Sequence, residues 1–208
     1  ILVKNDKLPR VFFNLFIDRQ PLFEGEKAGI SALTSDLLGK GTKNISKDEF
    51  IERIDFMGAT LNLSASGASG SSLSKFFPDL IDLLADGLLN PVFDQDEFTK
   101  SLDRFKEGIE ADKNSVPAAA RRVENILAYG KNHPNSEYLT IESLNNITFN
   151  DIEPFFNEYF LPNNSYMIII GDFDVDSTIN QIEKLFKTWK KGKISDNAIK
   201  VNSSSKTA

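Results

Sequence analysis

The chain has 208 residues, 40% of them hydrophobic, which suits one large domain or two small ones with a real core. Its net charge of −6 argues against a nucleic-acid-binding role, because such proteins present a basic surface. Cysteine is absent and His133 is the single histidine, which excludes disulfide bonds and thiol catalysis and limits histidine-based zinc or Ser-His chemistry.

The first predicted elements are two strands and a helix. Residues 11–18 (VFFNLFID) are apolar and aromatic enough for a strand, and a shorter strand is predicted near residues 1–3. Residues 28–38 carry apolar side chains at helical spacing, which predicts a helix. Gly39 and Gly41 follow this segment and are expected to end the helix.

A second helix and a β-hairpin are predicted next. Ser46, with a glutamate three residues later, is typical of a capping box and predicts that a helix begins there. Residues 59–66 alternate as a half-buried strand does. The small residues GASG at 67–70 predict a turn into a second strand near residues 71–76, so the two strands are expected to pair as a hairpin.

The rest of the chain completes a single α+β domain. A strand is predicted over 166–170, and helices over 78–89, 95–113, 117–129, 148–159 and 176–189. We expect one domain over residues 1–193, with a largely antiparallel or mixed sheet of five or six strands and helices mostly on one face. The polar residues 194–208 are typical of a linker, so the chain is expected to be a segment of a longer one.

Isolated residues give only weak hypotheses about a functional site. His133 is a candidate metal ligand or base, but a turn histidine with a local hydrogen bond is the favoured interpretation. Asp172 and Asp174 follow a predicted strand, but the sequence around them lacks the remaining ligands of a calcium loop. They are therefore expected to cap a helix or to lie in a turn. The segment GASG lacks the lysine and the strand-loop-helix context of a phosphate loop, and the many serines have no nearby histidine for a triad.

Several motifs occur together in an order that resembles one peptidase family. Residues 29–42, GISALTSDLLGKGT, align without a gap with G-x-x-H-x-x-E-H-x-x-x-x-G-T, the inverted zinc-binding motif. Similar segments follow in the family's order, among them MGATLNLSAS, YGKNHP, TIESL, LPNN and IIIGDFD. Over nearly its whole length the chain is similar to the first αβ domain of the insulinase family of zinc peptidases, which includes pitrilysin and mitochondrial processing peptidase.

The residues that carry catalysis in active members of this family are replaced here. The resemblance implies two histidine ligands and a glutamate base at the positions of Ala32, Asp36 and Ser35, and a third ligand, a glutamate, at the position of Gly108. An alanine methyl gives zinc no donor, and Asp36 alone does not make the three-ligand site of a catalytic zinc. The resemblance therefore implies a segment with no catalytic residue, no metal and no other cofactor of its own.

The resemblance also implies a function and partners. The chain is expected to be an inactive domain that helps form a peptide-binding chamber with a zinc-bearing sister subunit or domain, while an Arg/Tyr pair that contacts peptide in the family would lie in a second domain. Two alternatives are a structural or assembly subunit, like the core proteins of respiratory complexes, and an independent hydrolase with an unrecognised site. Nucleic acid and a membrane span are not expected, since no apolar stretch reaches the roughly 20 residues of a membrane helix. The compartment stays open, and bacterial periplasm and cytoplasm are both compatible.

Overall fold

The computed structural model describes residues 1–194, which form one α+β domain. Its five strands are β1 (Leu2–Lys4), β2 (Arg10–Ile17), β3 (Thr60–Ser64), β4 (Gly67–Leu73) and β5 (Ser165–Gly171). Its α-helices, over these residues, are α1 (Ile30–Leu37), α2 (Lys47–Phe56), α3 (Phe77–Leu89), α4 (Gln95–Asp112), α5 (Val116–Tyr129), α6 (Ile141–Asn145), α7 (Ile152–Tyr159) and α8 (Val175–Phe186).

The strands form a single mixed sheet in the order β1-β5-β2-β4-β3. The pairs β2–β4, β2–β5 and β3–β4 are antiparallel, whereas the edge strand β1 pairs with β5 in parallel. The short edge strand β1 therefore comes from the start of the chain, while its neighbour β5 comes from the last third. The predicted mixed, largely antiparallel sheet of five or six strands is confirmed.

One face of the sheet is covered by helices and the other is not. Along β2 every second residue is buried, from Val11 to Ile17, because successive side chains of a strand point to opposite faces. These residues form the main core together with the apolar side of α3. The opposite side, which we call the open face, exposes large apolar side chains of the two central strands: Phe12, Phe16, Tyr166 and Ile170.

The predicted hairpin is present, but the turn predicted at residues 67–70 is wrong. Ala65 and Ser66 make the turn, and GASG forms the start of β4 instead. The small residues are needed because the strands approach closely: a Cβ on Gly67 would lie 2.0 Å from the Leu15 carbonyl oxygen. A Cβ on Gly70 would lie 2.6 Å from the Phe13 ring. Small residues here mark tight packing inside a sheet and not a turn.

Several element boundaries also differ from the prediction. Residues 74–76, predicted as strand, form a 3-10 turn, and the short helix α6 was not predicted. The last helix ends at Phe186 rather than at 189. Ser46 accepts a hydrogen bond from the Glu49 N–H at 3.2 Å as predicted, although the Glu49 carboxylate pairs with an arginine one turn later. The predicted linker lies outside the described residues except for residue 194.

Candidate functional site

The helix α1 carries three of the four positions at which the resemblance places catalytic groups. It begins after Gly29, whose backbone φ of 110° and close approach to Leu139 require glycine. The Glu24 carboxylate accepts hydrogen bonds from the N–H groups of Gly29 at 2.6 Å and Ser31 at 3.2 Å, so it anchors the start of the helix. Leu33 is completely buried under α1, which fixes the side of the helix that faces outward.

The three motif positions lie together on the half-buried side of α1. Ala32 and Asp36 lie on adjacent turns of the helix, as the spacing predicts. The Ser35 hydroxyl donates to the Ser31 carbonyl at 2.7 Å and accepts from the Ala65 N–H at 2.9 Å. Ser35 therefore ties the helix to the β3–β4 turn, and its hydroxyl is already committed to backbone partners.

Asp36 is the centre of a set of charges between α1 and α4. Its Oδ2 accepts hydrogen bonds from Lys40 Nζ at 3.1 Å and from the Ser101 hydroxyl, and it pairs with the Arg104 guanidinium. Burial alone would raise the pKa of the Asp36 carboxyl. The hydrogen bonds from Ser101 and Lys40 and the positive charges of Lys40 and Arg104 outweigh burial, so this pKa lies below its ordinary value.

A second carboxylate, Glu97, extends these charges along α4. It lies 3.3 Å from Lys40, 3.0 Å from Lys47 and 3.2 Å from Lys100. Hydrogen bonds from Lys47 and Lys100, with a smaller contribution from Lys40, lower the pKa of the Glu97 carboxyl to about 2. We call the charged groups around Asp36 and Glu97, together with Ser101, the ionic network. Its members are Asp36, Lys40, Lys47, Glu97, Lys100, Ser101 and Arg104.

The ionic network places positive charge where the resemblance places a metal ion. Lys40 and Arg104 both contact the carboxylate at position 36, and a divalent cation would have to displace or repel them. Among residues 1–194, no three histidine, aspartate or glutamate side chains are grouped so that they could hold a metal ion. The ion pairs and hydrogen bonds of this arrangement join α1 and the loop after it to α4.

Gly108, the position proposed for the third ligand, lies on α4 one turn after Arg104. A Cβ at this glycine would meet no atom within 4 Å, so the helix is open to solvent there. Gly108 and Arg104 both line a cleft of about 660 Å³ between α4 and α5. The face of α4 with Gly108 is therefore close to the ionic network, while the assignment of this residue as a lost ligand stays a prediction.

A further cation lies beside the first turn of α1. The Arg19 guanidinium packs on the rings of Phe155 and Tyr159, at 5.7 and 5.2 Å from their centroids, and donates to the Ser31 hydroxyl at 3.1 Å. Burial lowers the pKa of Arg19, partly offset by the nearby Glu24 carboxylate. No pattern in the sequence indicates this role of Arg19, because its partners come from separate segments of the chain.

The other candidate residues have local structural roles. His133 Nδ1 accepts a hydrogen bond from the Asn135 N–H at 3.0 Å, and its ring stacks on Tyr129, as expected for a turn histidine. Asp174 caps α8 by accepting from the Ser177 N–H at 2.8 Å. Asp172 accepts from the Ser74 hydroxyl at 3.3 Å. In the part of the chain described here, none of the three belongs to a larger cluster of metal-binding side chains.

Similar structures agree with this fold. A protease from Helicobacter pylori has a TM-score of 0.80 at 19% identity, over 95% of this chain and 50% of that chain. A peptidase M16 inactive domain from Pseudomonas fluorescens has the same score at 20% identity, with the same coverage of both chains. A conserved protein from Enterococcus faecalis V583 has the same score at 13% identity, over 95% of this chain and 51% of that one. The chain thus spans about half the length of these structures, and the likeness shows the fold.

Sequence models of protein families give the family directly. The model described as insulinase (peptidase family M16) matches residues 1–139, which include α1 and the ionic network. The model described as peptidase M16 inactive domain matches residues 146–207. A comparison with curated proteins gave no match. Because the first model alone covers well over half of the sequence, this chain belongs to the insulinase family of peptidases, M16.

Proposed function

We propose that this chain is a non-catalytic domain that helps form a peptide-binding chamber with a zinc-bearing sister subunit or domain of the same family. The observation that carries the proposal is the chemistry at the motif positions of α1. Ala32 has no donor atom, Ser35 is hydrogen-bonded to backbone, and Asp36 is neutralised by Lys40 and Arg104. Zinc and its activated water would be held by the sister, with three protein ligands and an open coordination position.

The open face of the sheet supports a role within a larger assembly. Four large apolar side chains of β2 and β5 are exposed side by side there, and the Phe16 and Tyr166 rings stack with centroids 5.1 Å apart. Exposed apolar patches of this kind mark surfaces that another protein element covers. The similar structures are about twice as long as this chain. A domain whose motif positions lack the zinc ligands and whose apolar face is uncovered fits the role of a partner in a chamber.

The proposal is tested by measuring peptide hydrolysis with and without a candidate sister. The candidate is an insulinase-family protein with an intact H-x-x-E-H motif encoded beside this chain, assayed on a mixture of internally quenched fluorescent peptides. We expect no hydrolysis by this chain alone and faster hydrolysis by the mixture than by the sister alone. The gain should disappear when the glutamate of the sister's motif is changed to glutamine.

Two results would overturn the proposal. One is hydrolysis by this chain alone that persists in the presence of a metal chelator, which would indicate an independent site. The other is a stable complex of the two proteins with no change in hydrolysis, which would indicate a structural role instead. An inactive sister preparation is recognised by its zinc content, measured by elemental analysis before mixing.

A further inference from the structure

The cleft between α4 and α5, which we call the α4–α5 cleft, has a volume of about 660 Å³. On α5 it is lined by Ala118, Arg121, Arg122 and Asn125, whose spacing of three and four residues places them on one side of the helix. Over residues 116–129 no side chain is buried, so the domain does not fill the cleft with side chains of α5. Its size is within the range of about 300–1,000 Å³ that is typical of ligand-binding sites.

One wall of the α4–α5 cleft is apolar. Phe105, Ile109 and Leu139 line it, and all three are partly buried against the core cluster that contains Leu33. Gly108 lies between Phe105 and Ile109 on α4, and a Cβ at this glycine would meet no atom within 4 Å. The wall therefore leaves room for a peptide beside α4 and offers apolar surface to its side chains.

The opposite side of the cleft carries guanidinium groups. Arg122 is held in place by its Nε–H, which donates to the Ala118 carbonyl at 3.4 Å, and by the Tyr138 ring, whose centroid lies 5.4 Å from the guanidinium carbon. Within the described residues, neither Arg121 nor Arg122 forms an ion pair. The terminal nitrogens of two neighbouring arginines are therefore not neutralised by a carboxylate of this part of the chain.

Two carboxylates also line the cleft, but they do not neutralise these arginines. The Glu137 carboxylate accepts hydrogen bonds from the N–H groups of Glu24 at 2.9 Å and Gly25 at 2.6 Å, so it is bound to backbone. Asp112, at the end of α4, is exposed and forms no ion pair in the part of the chain that the structure describes. The arginines of α5 are thus available to an external carboxylate, which a guanidinium binds with two parallel hydrogen bonds.

We infer that the α4–α5 cleft binds an acidic segment of a peptide, with glutamate or aspartate side chains on Arg121 and Arg122 and apolar side chains on the opposite wall. The inference rests on the proposed function, since that function supplies a peptide as the ligand. The position of the cleft agrees with it, because Arg104 lines the cleft and pairs with Asp36 at a motif position of α1. Because the arginines are partly exposed, the binding depends on salt concentration.

Fluorescence anisotropy with this chain alone tests the inference. The probe is a short labelled peptide that alternates glutamate with leucine and ends in an amide, and the matched probe has glutamine in place of every glutamate. At low ionic strength the glutamate probe should bind with a Kd about tenfold lower than that of the glutamine probe. Arg121→Gln with Arg122→Gln should remove this preference. Arg10→Gln with Arg53→Gln, at exposed positions outside the cleft, is the matched control and should retain it.

A steric variant tests the same cleft without a change of charge. Gly108→Leu should keep the fold stable, because leucine favours a helix more than glycine does and the position is open. Thermal melts check this stability. The added side chain should weaken binding of the glutamate probe several-fold, because it occupies the space beside the apolar wall.

Several results would overturn the inference. One is a glutamate probe that binds no more tightly than the glutamine probe, and another is a preference that persists in the folded double arginine variant. If that variant does not fold, unchanged binding by Gly108→Leu overturns the inference instead. A glutamine probe with a free C-terminal carboxylate that binds as tightly as the glutamate probe would also overturn it, since the cleft would then recognise a peptide terminus. Failure of binding leaves the stimulation of the sister, which tests the proposed function, as a separate result.

Discussion

Removing the Asp36 carboxylate should weaken the contact between α1 and α4. The Asp36→Ala change deletes the acceptor of three groups: Lys40, Ser101 and Arg104. Ser101 and Arg104 lie on α4, far from Asp36 in the sequence, so the loss acts on tertiary packing and not on the stability of α1 alone. The altered side chain is small and the site is partly open, so no new clash is created.

The magnitude follows from the exposure of each partner. Arg104 is 58% exposed, so its pair with Asp36 contributes at most about 1 kcal/mol. The completely buried Ser101 hydroxyl donates to a charged acceptor, which is typically worth about 1.5–3 kcal/mol. Since Ser101 keeps a 3.3 Å contact from Lys40 in the variant, we expect a net loss of about 2 kcal/mol. For a chain of this size that lowers Tm by about 4–8 °C.

Urea denaturation followed by circular dichroism measures this loss, with Asp103→Ala on the exposed side of α4 as the control. The folded-state pKa of Asp36 is depressed, so its contribution is present above the ordinary carboxyl value of 3.8 and is lost as pH falls through the lower folded value. The difference between wild type and variant should therefore shrink in acid. A loss at neutral pH below about 0.5 kcal/mol, or one equal to that of the control, would refute the reasoning.

Three further predictions concern the same region. The Glu97 carboxylate stabilises the fold above pH 4.5, and this stabilisation is lost as pH falls from 4.5 to its folded-state pKa of about 2. Glu97→Gln should therefore make the stability of the protein less dependent on pH in this window, as measured by denaturation midpoints at a series of pH values. Gly29→Ala should destabilise the fold by about 2 kcal/mol or more, because the added Cβ would lie 2.2 Å from the Leu139 side chain. Gly58→Ala should destabilise it less, because a Cβ there meets no atom within 4 Å, and thermal melts of the two variants test the difference. A first variant rebuilds the motif with Ala32→His, Ser35→Glu and Asp36→His, and a second variant adds Arg104→Ala and Gly108→Glu to it. Elemental analysis should find no stoichiometric zinc in the first variant, in which Arg104 remains, and more zinc in the second. Tight zinc binding by the first variant would contradict the role of Arg104.

Local signals in the sequence predicted most of the fold. Helical spacing and caps located α1, α2 and the later helices except α6, because these signals depend on residues within a few positions of each other. The apolar and aromatic composition of residues 11–18 predicted the strand β2. The prediction of a turn at GASG was wrong because small residues occur both in turns and where strands pack closely. Only the positions of Phe13 and Leu15 on the neighbouring strand distinguish the two cases.

The candidate site was predicted only in part. The replaced motif positions could be found from the sequence, since the motif is a continuous segment of α1. The ion pair between Asp36 and Arg104 could not be predicted, because the two residues are far apart in the chain and their contact depends on how α1 packs against α4. Two pairs in the ionic network are close in sequence, Asp36 with Lys40 and Glu97 with Lys100, and only these gave a local signal.

The ionic network has a consequence for how this domain responds to its surroundings. A zinc ion leaves its site when chelators compete for it or when the metal is scarce, and the protein around it then loses a cross-link. Lys40 and Arg104 supply positive charge to the same region of α1, but covalent bonds attach them to the chain, so they cannot diffuse away. The charge that these two side chains bring to the contact between α1 and α4 is therefore a permanent part of the chain, while the strength of the contact varies with pH and with salt concentration.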